Sequence, residues 1–378
     1  MGRPEADLLI WRRSLLIFGS IVSALVLAEF LLRVFLPQAL GWNTALIWEP
    51  AEGPGWRRKP NLDVEINTGE RAVRVLSDER GHRIGAARIA HSDVAILAIG
   101  DSFVEALQVN AEQTMTALLA EWLSRQSGRT VDVVNAGVGG WDANRYLIAA
   151  RRELESAHYD LVLIFVFLEN DFVSRRVDSF PAATNLTLPD LPRGAPLETK
   201  LSRLGLLADV FLMRHSHLYV YGRNLRELQR MRSGARHYHL LTSIMRTEAG
   251  STDWQVTGDV LADIATRAAQ QETEVLYVLI PPHQYLDAKA LASYAGAMGV
   301  SLSDVDVGQP ARLLTDQLSK KGLKVFDATT ALKRAFDAGQ KDLYGRIDRH
   351  FTPAGHRVMA GFLEPVVLAS LMSRGQHQ

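Results

Sequence analysis

Four short stretches of this chain carry side chains that chemistry can use. Gly100-Asp101-Ser102 closes an apolar run at 94–99 and opens a helical pattern near Phe103. That spacing sets a serine hydroxyl at a strand-to-helix turn, where a helix N-terminus offers N–H groups and partial positive charge to a developing oxyanion. Asn135-Ala136-Gly137-Val138-Gly139-Gly140 follows a second run at 131–134, so its glycines can present backbone N–H groups with no side chain in the way. Asn170 follows a third run at 161–167 and offers an amide donor. Asp348-Arg349-His350, just before Phe351-Thr352-Pro353, supplies a base with a carboxylate close behind it. A serine nucleophile, a histidine base and convergent N–H donors are the parts of nucleophilic acyl transfer.

Each stretch also has an ordinary structural use. Glycine suits any tight turn, Asp or Ser suits any helix N-cap, and a lone loop asparagine or histidine carries no chemistry. Their placement after successive apolar runs is what makes them one site, because loops at the carboxyl ends of parallel strands converge.

In order and content these blocks resemble the SGNH (GDSL-type) hydrolase superfamily, over roughly residues 93–175 and 256–371. The resemblance implies Ser102 as nucleophile, His350 as base, Asp348 as the acid behind it, and an oxyanion hole built from the Ser102 N–H, the Gly140 N–H and the Asn170 side chain. It also implies a flavodoxin-like α/β/α sandwich with a five-stranded parallel sheet in the order 2-1-3-4-5, and no metal or organic cofactor. Two departures stand out. The third block reads Leu168-Glu169-Asn170-Asp171 where the family has Gly-x-Asn-Asp, and Asp348 lies two residues before His350 where Asp-x-x-His is common. In an extended stretch, residues i and i+2 project to the same side, so the pair can still meet. The competing use of Asp348 is as a turn or N-cap residue. Asp327 and Asp342 are the alternative acids, and His283 and His356 the alternative bases.

The elements that must position these residues follow a βα alternation. Short apolar runs at 94–99, 131–134, 161–166, 275–280 and 324–326 suit buried parallel strands, and helical patterns lie near 104–124, 143–156, 256–270, 309–320 and 353–371. A small β element is expected at 63–83, after a Pro-, Gly- and Trp-rich linker; together they span 37–92, ahead of a catalytic domain at 93–378. The stretch from about 174 to 254 interrupts the alternation as a helical insertion. From 201 to 246 it carries eight arginines against Asp209 and Glu227. It reads either as a cap with a solvated basic face, or as a lid or membrane-facing surface that attracts an anionic glycan or lipid headgroup. His215, His217, His237 and His239 within it are expected to be surface residues rather than metal ligands.

Residues 14–36 are apolar apart from Glu29 and Arg33, an i, i+4 pair, and about 20 such residues cross a bilayer as a helix. Arg12 and Arg13 precede the run, which places residues 1–13 in the cytoplasm and the rest outside by the positive-inside tendency. Trp11, Trp42 and Trp48 are expected at the interfaces. A signal peptide cleaved after Val26-Leu27-Ala28 and a buried core helix are the alternatives. Zero net charge over 378 residues, with no long basic stripe interleaved with aromatics, disfavours nucleic acid as a partner, and the absence of cysteine excludes disulfides and thiol nucleophiles. These features predict a membrane-anchored serine esterase acting on O-acyl esters of carbohydrate or lipid, its domain in the periplasm or outside the cell. An O-acetyltransferase of exported polysaccharide, or a non-catalytic glycan-binding or scaffold module on the same fold, is the alternative.

Overall fold

A computed structural model describes residues 3–38, 40, 47–68, 70–85, 91–183, 197–232, 253–346 and 348–375. The chain forms two compact units, one of Met1–Asn43 and Asp190–Glu227, the other of Thr44–Pro189 and Leu228–Gln378. His237 and His239 lie outside the described residues.

In the first unit, helix α1 (Arg3–Phe35) contains the stretch Trp11–Phe35, long and apolar enough to cross a membrane. Its apolar side chains are exposed along its length, from Trp11 at 71% to Phe35 at 75%. That excludes a buried core helix and leaves an anchor or a signal sequence.

The second unit is a three-layer sandwich. Its strands are β1 (Trp48–Ala51), β2 (Gly55–Arg58), β3 (Asp63–Asn67), β4 (Ala72–Ser77), β5 (Arg83–Ile84), β6 (Val94–Ile99), β7 (Val131–Asn135), β8 (Leu161–Phe167), β9 (Glu274–Ile280) and β10 (Lys324–Asp327). Its helices are α2 (Ser102–Glu105), α3 (Met115–Ser127), α4 (Ala143–Ser156), α7 (Asp253–Ala269), α8 (Ala288–Met298), α9 (Gln309–Ser319), α10 (Thr329–Asp337) and α11 (Pro353–Gly375). The first unit holds α5 (Leu197–His215) and the start of α6 (His217–Arg232).

The main sheet runs β10-β9-β8-β6-β7-β5-β4-β3. Its five parallel strands, β7-β6-β8-β9-β10, give the expected 2-1-3-4-5 order. The expected small β element joins this sheet, as β5, β4 and β3 add antiparallel to the β7 edge and make eight strands in all. Because β-strand side chains alternate, β8 sends Leu161, Leu163, Phe165 and Phe167 to one face and Val162, Ile164 and Val166 to the other. The first set packs with α3, α10 and α11, the second with α4, α7 and α9. Burial on both faces is why β8 reads as an unbroken apolar run.

The helical pattern expected at 104–124 is broken: α2 ends at Ala106, which takes a left-handed φ of 55°, and α3 restarts under the Thr114 side chain, which accepts the Ala117 N–H at 3.2 Å. Trp48 has a partner inside the catalytic unit. It begins a β1–β2 hairpin inside the expected linker, and its indole N–H donates to Glu105 Oε1 at 2.9 Å.

Where β4 turns into β5, His82 is buried between two acids, with ring nitrogens 3.2 Å from Asp78 Oδ2 and 3.1 Å from Glu153 Oε2. Burial alone would depress the imidazole, but hydrogen bonds to Asp78 and Glu153 and their charges raise it above its ordinary value. The acids are desolvated, yet hydrogen bonds and charge from His82 hold each at about 2. A raised histidine stabilises fully below its unfolded value near 6.5 and loses that contribution as pH climbs through the folded value; lowered acids lose theirs below about 4. The network is therefore strongest between about pH 4.5 and 6.5. Thermal melts at pH 6 and pH 8 are expected to show His82→Gln losing less Tm than the parent over that interval; equal losses would remove His82 from the account.

Candidate active site

Ser102 sits in the turn after β6, which is flanked by β7 and β8. The chain leaves β6 for β7 on one side and then crosses to β8 on the other, so the loops after these three neighbouring strands meet at the point where the strand order reverses. Gly140 is in the loop after β7 and Asn170 in the exposed turn after β8. The region is built by close approach. A Cβ on Gly137 would lie 2.5 Å from Val104 Cβ and 2.6 Å from the Glu105 nitrogen, so only glycine lets this loop pack on α2. Gly140 has φ +75°, where a side chain is strained.

Asp101 is the N-cap of α2, its Oδ1 accepting the Phe103 N–H at 2.9 Å. The helix it caps is a single turn. Local N–H groups, rather than the macrodipole of a long helix, are therefore what this turn offers an anion. Burial pushes the Asp101 carboxyl up to about 6, against the Phe103 N–H, the His350 charge and the Ser102 hydroxyl, which pull it down.

The base arrives from the far end of the chain. Residues 343–345 pair back on 350–352, with the Tyr344–Phe351 bridge, the Gly345 N–H donating to the His350 carbonyl at 2.7 Å and the Thr352 N–H to the Leu343 carbonyl at 3.0 Å. The imidazole rests on Phe103, ring centroids 4.9 Å apart, and its Nε2 lies 2.7 Å from Ser102 Oγ. Behind it, Nδ1 is 3.8 Å from Asp348 Oδ2. Both atoms are buried without another hydrogen-bond partner, while Asp348 Oδ1 accepts the His350 N–H at 3.1 Å. The two side chains face each other through a left-handed residue, Arg349 at φ 65°, and not through the extended stretch their spacing suggested. Burial works against the imidazolium, but the Asp348 side chain and its charge outweigh it and raise His350 above its ordinary value. The same contact lowers Asp348 despite its burial.

The other candidates fall elsewhere. His356, in the first turn of α11, accepts the Met115 N–H on Nδ1 at 3.2 Å, and burial pushes it down to about 3. His283 lies in a 3₁₀ turn after β9, and burial lowers it to about 4. Asp327 accepts the Thr329 N–H at 2.9 Å as a local cap, and Asp342 is exposed. Asp171 shapes the third loop: Oδ2 accepts the Tyr146 hydroxyl at 2.6 Å and the Phe167 N–H at 2.5 Å. Glu169 accepts the Tyr294 hydroxyl at 2.8 Å, and burial raises its carboxyl.

A buried ion pair that sequence reasoning missed ties these loops together. Glu105 and Arg58 are fully enclosed, with Arg58 Nε 3.2 Å from Glu105 Oε1. Glu105 Oε2 accepts the Gly139 N–H at 2.6 Å, and Arg58 donates to the Gly137 and Gly81 carbonyls. Three residues after the serine, Glu105 thus fixes the backbone next to Gly140. The one clue in the sequence is an acid inside the apolar start of a helix, Ser102-Phe103-Val104-Glu105. Glu105→Gln is expected to cost about 3–5 kcal/mol in denaturant unfolding, because Arg58 is left buried with a neutral partner. A shift of the loop by about 1 Å is expected to lower kcat of the folded variant roughly 10²-fold. Unchanged stability would show that the pair contributes nothing to the loop.

Among solved structures, a member of the lipolytic G-D-S-L family from Veillonella parvula matches 72% of this chain and 97% of its own, at 15% identity and a TM-score of 0.38. An acetyl xylan esterase matches 72% of this chain and 100% of its own, at 12% identity and a TM-score of 0.41. A catalytic mutant of an acetylxylan esterase from Geobacillus stearothermophilus matches 76% and 95%, at 13% identity and a TM-score of 0.40. The chain has an α/β fold with a mainly parallel central sheet. No protein-family model and no curated protein matches it. These are likenesses only, and any chemistry the chain performs is carried by the side chains just described.

Proposed function

We propose that this protein is a membrane-anchored serine ester hydrolase that works through an acyl-enzyme. The observation that carries the reading is the 2.7 Å contact between Ser102 Oγ and His350 Nε2, with the orphaned faces of His350 Nδ1 and Asp348 Oδ2 opposed behind it. His350 takes the hydroxyl proton as Ser102 attacks the ester carbonyl, and the resulting imidazolium is stabilised by Asp348. The oxyanion is held by the N–H groups of Ser102 and Gly140 and by the Asn170 amide, each supplying roughly 3 kcal/mol at the transition state. Collapse of the tetrahedral intermediate breaks the ester C–O bond, and His350 protonates the departing alcohol. Water, activated by the same imidazole, then releases the acid from Ser102.

The substrates proposed are O-acyl esters of carbohydrate or lipid, outside the cytoplasm. Arg12 and Arg13, at the start of the stretch Trp11–Phe35 and just ahead of the apolar run 14–36, support an anchor with the catalytic unit facing outward. The test is a panel of acetylated oligosaccharides and lipid esters offered to the full chain in detergent micelles, with free acid and acyl-glycan both measured. Free acid as the main product supports the hydrolase; acyl transfer to added glycan would replace it with the transferase, and neither product with a folded protein would replace it with the binding module. For location, the chain is expected to resist carbonate extraction with its C-terminus open to protease only from outside. A mature N-terminus at Glu29 would show a signal peptide instead.

A further inference from the structure

Glu29 lies six residues before the end of the apolar stretch Trp11–Phe35, where an ionisable side chain is expensive unless satisfied. Its carboxylate is fully engaged by groups far along the chain. It accepts the Ser216 hydroxyl at 2.9 Å and the N–H groups of His217 at 3.0 Å and Leu218 at 2.9 Å, besides Arg33 Nε at 2.7 Å. Arg33 donates in turn to the His215 carbonyl at 2.5 Å, and the Gln38 N–H to His217 Nδ1 at 2.8 Å. The i, i+4 pair read from the sequence is thus also a clamp. Its acid caps the first turn of α6 and its guanidinium takes the last carbonyl of α5, which fastens the corner of the α5–α6 hairpin to α1.

That fastening fixes a depth. At 1.5 Å per residue, Glu29 stands about 9 Å from the helix end. The apolar stretch, about 37 Å long, exceeds a hydrocarbon core of about 30 Å by a few ångströms at each end. The hairpin corner therefore lies about 5 Å inside the boundary between acyl chains and headgroups. From there α5 exposes Leu204, Leu207 and Phe211 on one face, at 63, 41 and 61%, with i, i+3, i+7 spacing. Arg214, Arg223 and Arg226 are exposed on the same hairpin. An apolar stripe that starts from a corner just inside the acyl boundary, on a hairpin that also exposes arginines, matches an anionic lipid surface in both polarity and charge.

We propose that the α5–α6 hairpin lies in the membrane–water interface at the C-terminal end of α1, with Leu204, Leu207 and Phe211 in the acyl boundary and its arginines among anionic headgroups. The inference rests on α1 being an anchor. The native chain has no cysteine, so single nitroxide labels can be placed cleanly at Phe211→Cys and, as a water-exposed control on the catalytic unit, at Gln340→Cys. Each labelled full-length protein is reconstituted into vesicles of phosphatidylethanolamine and phosphatidylglycerol. Its collision rates with oxygen and with a water-soluble nickel chelate are then compared. Phe211 is expected to favour oxygen and Gln340 the chelate. A Phe211 label that favours the chelate, or is shielded from both, overturns the proposal by placing the stripe in water or against protein. Carbonate extraction of the same vesicles separates the two readings: retention with a chelate-accessible Phe211 leaves the anchor standing alone, and release of the chain removes both.

Discussion

Ser102→Ala and His350→Ala are each expected to lower kcat on a short-chain p-nitrophenyl ester by about 10⁴-fold or more, with the double variant little worse than either single one. The reason for the shared loss is the 2.7 Å contact between Oγ and Nε2. Without the imidazole the hydroxyl is a poor nucleophile at neutral pH, and without the hydroxyl the imidazole has no nucleophile to activate. Because the two act as one unit, their effects do not add. Both side chains are partly exposed at the loop cluster, so circular dichroism and Tm are expected to be nearly unchanged. Losses that add fully in the double variant would mean that the two residues act in separate steps.

Asp348→Asn is expected to lower kcat by about 10³–10⁴ while preserving the fold, by leaving His350 in the wrong tautomer and its imidazolium unsupported. A pH signature distinguishes this from a packing defect. The active form needs a neutral His350, and His350 is raised because the Asp348 side chain and charge outweigh burial. In the parent, kcat/KM should therefore rise with pH through a limb above the ordinary histidine value of about 6.5. With Asn at 348 the larger raising influence is gone, mainly the Asp101 charge is left to oppose burial, and the limb moves to lower pH. Asp327→Asn and Asp342→Asn, whose carboxylates cap a helix or lie exposed, should leave both kcat and the limb in place. A normal kcat in Asp348→Asn would leave a Ser-His dyad; a limb that stays put would mean that the acid's charge does not reach the ring.

The parts of this candidate site whose positions in the fold were legible in the sequence are those fixed by short-range rules. Ser102, Gly140 and Asn170 each follow an apolar run, and a run buried on both faces is a parallel strand whose carboxyl end points to the common cleft. The order of the five parallel strands entered by resemblance, and the register of β6 with β7 and β8 agrees with it. What stayed hidden depends on partners distant in sequence. The Arg58–Glu105 pair spans 47 residues and has no periodicity to betray it. The β1–β2 hairpin hides among Pro and Gly because its strands are four residues each, too short for an alternation to register. Arg349's positive φ is set by the pairing of 343–345 with 350–352, so the meeting of Asp348 and His350 could be guessed but not its backbone route. Glu29 looked like half of a local ion pair, and its other partners lie more than 180 residues away.

The most direct measurement is active-site labelling. The full chain in detergent is treated with a fluorophosphonate and analysed by intact mass and peptide mapping. A serine made nucleophilic by His350 should take up one adduct per chain, on the peptide containing Ser102; Ser102→Ala should take up none, and His350→Ala should react far more slowly. An adduct that persists in Ser102→Ala, or a folded parent protein that does not react, would contradict the account.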